Sequence, residues 1–163
     1  MNAITDQLYI GDISDVREQS DDQFDRIITV CQDAIIDNVG KDTAYEYYCM
    51  SDGPNNEYGG NPSYLLFQQA TDSLVDALER GETVLIHCHM GQSRSVSVSI
   101  AALASMRGMR VAGVTEIIVE ARPQANPDDH LWRHVKRYLN KDECREPTTI
   151  KTAKKIVGKE NVE

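Results

Sequence analysis

The chain predicts an α/β domain, a three-layer α/β/α arrangement in which helices cover both faces of a mostly parallel central sheet of 4–5 strands. Three observations predict it. Four short β-rich runs, near residues 7–10, 26–31, 44–50 and 83–87, are spread along the chain. Between and after them lie stretches with apolar residues at helical spacing, closed by glycine or proline. The 163 residues suffice for one sizeable core, and no apolar run approaches the ~20 residues of a membrane span.

The elements follow in order. The first two strands are expected near residues 7–10 and 26–31. Tyr45 to Met50 is a third, running into the loop Ser51-Asp52-Gly53-Pro54. Asn61-Pro62 predicts an N-cap followed by proline at the first helical position. That helix buries Phe67, Ala70, Leu74 and Leu78 and stops at Gly81. Thr83 to His87 is the fourth strand. From Val96, the stripe Val96, Ile100, Leu103 and Ala104 marks a helix closed by Gly108. A further helix carries Val111, Val114, Ile118 and Ala121 and ends at Arg122-Pro123. Asn126-Pro127 is expected to cap a last helix with Leu131, Val135, Tyr138 and Leu139. In residues 145–163, Lys151, Lys154, Lys155 and Lys159 surround Ile150, Ala153, Ile156 and Val157. This is either an extra amphipathic helix packed on the domain or a basic tail.

The chemistry concentrates in residues 87–95, His-Cys-His-Met-Gly-Gln-Ser-Arg-Ser. A tight loop feeding a helix N-terminus presents unpaired backbone N–H groups and the positive end of the helix dipole, an anion site. Cys88 lies at its floor. A helix N-terminus with a fixed guanidinium can draw a thiol pKa down into the ~3.5–7.5 range, making it a nucleophile without a base. Arg94 suits the task better than lysine, because its planar fork holds two phosphate oxygens. Gly91 permits the positive φ that aims successive amides inward. His89, Met90, Gly91, Gln92, Ser93 and Arg94 form the candidate phosphate-binding loop, with the side chains of His89 and Met90 at its rim. His87 is expected to brace the loop through hydrogen bonds. A buried structural cysteine would explain Cys88 alone, but not the glycine and arginine at loop spacing. Ser95, just beyond the arginine, can donate its hydroxyl to the Cys88 sulfur.

Were the bound anion a phosphoryl group passed to the thiolate, a proton donor for the departing oxygen would also be needed. Asp52 stands out because it follows a strand end, where open α/β sheets bind ligands. Glu57 is the nearest rival. A metal site is not expected. His87 and His89 lack a second cluster at ligand spacing, and His130 and His134 lack the glutamate of a zincin motif. No cofactor is expected either.

The pattern Cys-x5-Arg, preceded by His87 and followed by Ser95, resembles the signature loop of the cysteine-dependent protein tyrosine phosphatases. Ser93-Arg94-Ser95 is closer to their dual-specificity branch. The resemblance runs from about Leu8 to Leu139, with Leu8 to Gly11 similar to the family's opening strand and turn and Phe24 to Cys31 to its second strand, and implies a protein tyrosine phosphatase-like fold. It implies a catalytic domain over residues 1–144, followed by the basic segment 145–163. It further implies a phosphocysteine intermediate on Cys88, Asp52 as general acid, and a Ser95 that helps expel the sulfur. The implied substrates are proteins phosphorylated on tyrosine, serine or threonine. A non-protein phosphoester and a phospho-reading module without catalysis are the alternatives. Asn126 is taken as support for the loop. The family often has asparagine after the proline of this last motif, whereas the chain has Asp128-Asp129. That acid either opposes the loop's charge or simply favours the helix dipole. Arg122 is either part of a second anion site or an ordinary cation in a last helical turn.

The net charge of −9 argues against nucleic acid and anionic membranes as partners. The N-terminus shows no basic start followed by an apolar stretch. Four irregularly spaced cysteines, one needing to stay reduced, suggest a cytoplasmic-type compartment. Cys31 and Cys49 are expected to be buried filler, either able to trap an oxidised Cys88 as a disulfide. Oligomeric state is not legible.

Overall fold

The computed structural model of the chain describes residues 1–19, 23–53, 60–140 and 150–158. Strand β1 (Asn2–Ala3), β2 (Leu8–Gly11), helix α1 (Ile13–Glu18) and β3 (Arg26–Thr29) come first. A 3-10 turn at Ile36–Asn38, β4 (Ala44–Tyr47), α2 (Tyr64–Glu79) and β5 (Val84–His87) follow. Four helices complete the described chain: α3 (Arg94–Arg107), α4 (Val111–Ala121), α5 (Asp129–Leu139) and α6 (Lys151–Gly158).

The strands form one sheet in the order β1-β2-β5-β3-β4. Every pairing is parallel except β1 with β2. Parallel strands need both faces covered, and the side-chain alternation along each strand shows how this is done. Leu8, Ile10, Ile28, Val84 and Ile86 point into the larger core, shared with residues of α2 to α6. Ile27 and Leu85 point the other way, into a smaller cluster with Val16 of α1, Phe24 and Ile35. Ile10, Ile27, Ile28, Leu85 and Ile86 are fully buried, each contributing about 1.5–3 kcal/mol relative to exposure. The three-layer prediction holds, with α1 and the turn after it making the thinner layer.

Several boundaries differ from expectation. The third strand stops at Tyr47, not Met50, because the Met50 carbonyl accepts from the Arg94 guanidinium at 2.9 Å and not from a neighbouring strand. The first helix long enough to be read from its stripe, α2, is capped by Ser63, whose hydroxyl accepts from Leu66 N–H. Asn61 is not its cap. The Pro62 carbonyl, meanwhile, is bonded to His134 Nε2 at 2.7 Å. Likewise Asp128, not Asn126, caps α5 by accepting from His130 N–H at 2.9 Å. The Asn126 N–H is already committed to the Gln92 carbonyl at 2.6 Å, which holds that residue outside the helix. The short β1 and α1 were not foreseen; α1 is closed by a capping box between Asp12 and Asp15.

Helix α3 is buried along almost its whole length, including Val96, Ile100, Leu103 and Ala104, and packs against α2, α4 and α5. It ends at Gly108 in the left-handed region. Helix α6 lies on α4 with Ala153 and Val157 buried. No described helix is long and apolar enough to cross a membrane.

Placing a charge at the α6 seam tests its membership of the core. Ala153→Asp is expected to lower Tm by about 3–8 °C, from a buried unpaired carboxylate. An unchanged melting curve by circular dichroism would show that α6 is not part of the cooperative unit.

Candidate active site

The carboxyl ends of β3 and β5 bring the candidate residues together. In register, Thr29 lies opposite His87, and the Val30 N–H donates to the His87 carbonyl at 3.0 Å. The chain then leaves β5 as a loop and enters α3 at Arg94. Cys88 is 2 % exposed. Its Sγ accepts from the Gly91 N–H at 3.2 Å and lies 3.2 Å from Ser95 Oγ. Gly91 has φ +66, and a Cβ there would collide with the Arg122 guanidinium and the Gly11 carbonyl. Only glycine fits.

Backbone amides can face the sulfur only if the loop carbonyls find donors behind them. They do, one after another. The Cys88 carbonyl pairs with His87 Nδ1 at 3.0 Å, and the His89 carbonyl with the Ile13 N–H at 3.1 Å. Arg122 takes the next two, donating from Nε to the Gly91 carbonyl at 2.6 Å and from Nη2 to the Met90 carbonyl at 3.3 Å. The Asn126 N–H takes the Gln92 carbonyl, and the Ser93 carbonyl accepts from Ser97 N–H and Oγ. Arg122 is 2 % exposed and also donates to Asn2 Oδ1 at 2.6 Å. It is therefore neither a second anion site nor a solvated helix end.

His87 is completely buried. Burial pushes its imidazole down to about 4, and its bond to the Cys88 carbonyl only partly offsets this. A carbonyl can only accept, so Nδ1 carries the proton and Nε2 accepts from Thr29 Oγ1 at 2.6 Å. Thr29 Oγ1 in turn accepts from the Tyr45 hydroxyl at 3.1 Å. A directed chain of neutral groups thus ends on the loop.

At the head of α3, Ser93 makes no side-chain cap. Its hydroxyl instead accepts from the Asp128 N–H at 2.9 Å, leaving the first amides of the helix unclaimed by a cap. Arg94 is 5 % exposed. Its Nη1 donates to Gln32 Oε1 at 2.7 Å and to the Met50 carbonyl. Its Nε and Asp52 Oδ1 lie 3.9 Å apart, too far for a hydrogen bond. Both atoms are buried without a hydrogen-bond partner among the described residues.

Asp52 is thus drawn beside Arg94, while Glu57 lies outside the described residues. Asp128 sits against the same loop: a Cβ on Gly53 would be 2.9 Å from the Asp128 carboxyl carbon. Its carboxylate serves the α5 N-terminus and also lies 3.0 Å from His130 Nδ1, so its charge is tied to the helix start. His89 and Met90 are exposed at the rim, and His89 Nδ1 lies 3.1 Å from Asp33 Oδ2. Cys31 is buried with its thiol pushed up to about 11 by that burial. Cys49 is exposed, against the expectation of buried filler, because β4 ends before it. Among the described residues no group of three or more His, Cys, Asp and Glu is placed to hold a metal.

Sequence reasoning missed Gln32, which joins Arg94 to the Asp52 loop through its Nε2 and Ser51 Oγ at 3.4 Å. It also missed the roles of Arg122, Thr29 and Tyr45. A glutamine after a strand end carries no local signal, and its partner is 62 positions away.

A mostly parallel five-stranded sheet with this loop at the carboxyl end of its central strand is a protein tyrosine phosphatase-like fold. Residues 8–141 match the family described as dual specificity phosphatase, catalytic domain, and the chain belongs to that family. It is 34 % identical over 71 residues to dual specificity protein phosphatase 1 of Arabidopsis thaliana, covering 44 % of this chain and 36 % of that protein. It is 34 % identical over 62 residues to human dual specificity phosphatase 28, covering 38 % of this chain and 35 % of that protein. The chain thus matches about a third of the length of these two relatives. The crystal structure of human DUSP28 superposes with a TM-score of 0.72 at 19 % identity, over 85 % of this chain and 95 % of that one. The crystal structure of DUSP15 gives 0.71 at 20 % identity, over 100 % and 96 %. At these identities the two structures establish the shared fold.

Two measurements follow from this geometry. A base whose pKa is lowered on folding adds stability above its unfolded value, and loses it as pH falls toward the folded value. Wild-type stability should therefore drop as pH falls from 6.5 to about 4, by on the order of 3 kcal/mol from His87. His87→Asn should lack that component in urea titrations across the window. His134, also lowered by burial, contributes in both proteins. An identical pH slope in the variant would mean that His87 is not a buried neutral group. Gly91→Ala should cost folding stability of about 2 kcal/mol or more; a Tm equal to wild type would contradict the close packing behind the loop.

Proposed function

We propose that the chain hydrolyses phosphate monoesters of tyrosine and of serine or threonine in proteins, through a phosphocysteine on Cys88. One observation carries the reading. A buried sulfur that accepts from Gly91 N–H and adjoins the Ser95 hydroxyl lies at the uncapped start of a buried helix. Beside it, Arg94 Nε and Asp52 Oδ1 are buried, 3.9 Å apart, and without a hydrogen-bond partner among the described residues. Unpaired buried polar atoms are costly, and a phosphoryl group with a leaving oxygen satisfies both. The family membership and the protein-phosphatase names of its relatives support a phosphoprotein substrate.

In the first step Cys88 Sγ attacks phosphorus in line as the bond to the leaving oxygen breaks. Asp52 gives that oxygen its proton. The loop amides and Arg94 hold the non-bridging oxygens, where charge is spread in the transition state. In the second step the Asp52 carboxylate takes a proton from water, whose oxygen attacks phosphorus. The S–P bond breaks, and the Ser95 hydroxyl donates to the departing sulfur. Inorganic phosphate leaves and the thiolate is restored. No metal is needed in either step.

Cys88→Ser should abolish hydrolysis of p-nitrophenyl phosphate and of phosphopeptides. Asp52→Asn should lower kcat on phosphopeptides by about 10²–10⁴-fold with KM little changed. Wild-type turnover in Cys88→Ser would refute the mechanism, and in Asp52→Asn would transfer the acid role elsewhere. Matched phosphotyrosine and phosphothreonine peptides, assayed beside a phosphoinositide and a 5′-phosphorylated oligonucleotide, test the substrate class. Preference for either non-protein ester by kcat/KM would overturn it.

A further inference from the structure

A second concave site lies on the far part of α5. Trp132, Arg133 and Lys136 of α5 and Ile150, Lys151 and Lys154 at the start of α6 line a cavity of about 330 Å³. That is near the lower limit of ordinary ligand pockets. Trp132 is 2 % exposed and Ile150 half-buried, so the floor is apolar. Arg133, Lys136, Lys151 and Lys154 are exposed around it. In a chain of net charge −9, four cations on one rim are a local reversal of sign. Among the described residues only Lys154 of the four is in an ion pair, with Asp129 at 2.8 Å.

We propose that this groove is a docking site for an acidic peptide segment carrying one large apolar side chain. The apolar residue would enter between Trp132 and Ile150, and carboxylates on either side would meet Arg133, Lys136 and Lys151. Position argues for a role in substrate recognition, a step that rests on the phosphoprotein reading above. The groove residues of α5 lie four to eight positions beyond Asp128, about 6–12 Å along the helix at 1.5 Å per residue. Asp128 itself is hydrogen-bonded to Ser93 of the phosphate loop. An extended chain covers this distance in roughly two to four residues. The segment would thus flank the phosphorylated residue and add affinity without touching the reacting atoms.

Trp132 is the single tryptophan of the chain, so its fluorescence reports on the groove whether or not the protein is active. Titration with an unphosphorylated peptide of glutamates flanking one leucine should give a saturable change. The double variant K136E/K151E, altered only at exposed positions, should weaken that binding about tenfold, and added salt should weaken it in wild type. No saturable change, or an equal response from the double variant, overturns the proposal. A response to phosphatidylserine vesicles but not to the peptide overturns it in favour of a lipid surface. In a second arm, joining the acidic segment to a phosphopeptide should lower KM several-fold in wild type and not in K136E/K151E. Both proteins should hydrolyse p-nitrophenyl phosphate equally. Peptide binding without any effect on KM overturns the substrate role, whereas failure to hydrolyse any phosphopeptide removes the phosphoprotein reading and leaves the fluorescence result standing.

Discussion

The loop from Cys88 to Ser93 can turn its amides toward an anion only because its carbonyls are satisfied from behind. A backbone cannot hide either of its polar groups without a partner. Here the donors come from every layer of the fold: His87 on β5, Ile13 at the start of α1, Arg122 after α4, Asn126 before α5 and Ser97 within α3. The buried Arg122 is central, since one guanidinium serves two successive carbonyls and is itself fixed by Asn2 of the edge strand. This explains why so short a strand as β1 matters. It places the side chain that orients the arginine that orients the loop.

The front of the site follows the same logic with charge added. Gln32 and the Met50 carbonyl occupy one nitrogen of Arg94, fixing the plane of the guanidinium and leaving Nε turned toward Asp52. Gln32 also reaches Ser51, and Asp128 packs on Gly53, so the Asp52 loop is held on both sides. Asp128 links this loop to the other half of the site through its own N–H on Ser93. The acid where the family often has asparagine therefore does structural work, with its charge placed at a helix start that favours it.

Legibility divided along sequence distance. Cys88, Gly91, Arg94 and Ser95 were readable because loop, turn glycine and helix start lie within eight residues, and local chemistry dictates them. The parallel strands were readable from their apolar runs, and α2, α3, α4 and α5 from their stripes. Asp52 could be singled out from its place after a strand, and the structure puts it beside Arg94. Arg122 was not resolved between two surface roles, because its partners lie 31 to 120 positions away. The caps Asn61 and Asn126 were misplaced for a related reason: Ser63 and Asp128 compete locally, and the tertiary bond from Asn126 to Gln92 decides the second case. Strand β1, two residues long, has too little pattern to be seen at all.

The central claim is that this braced loop carries a sulfur nucleophile which accepts the phosphoryl group. Acid quenching during turnover of p-nitrophenyl phosphate, followed by peptide mass spectrometry, tests it directly. The account predicts a phosphoryl adduct on the peptide bearing Cys88. It should accumulate in Asp52→Asn, where the good leaving group departs unaided but the attack of water lacks its base. Turnover with no adduct on Cys88, or with the phosphoryl group on another residue, would contradict it.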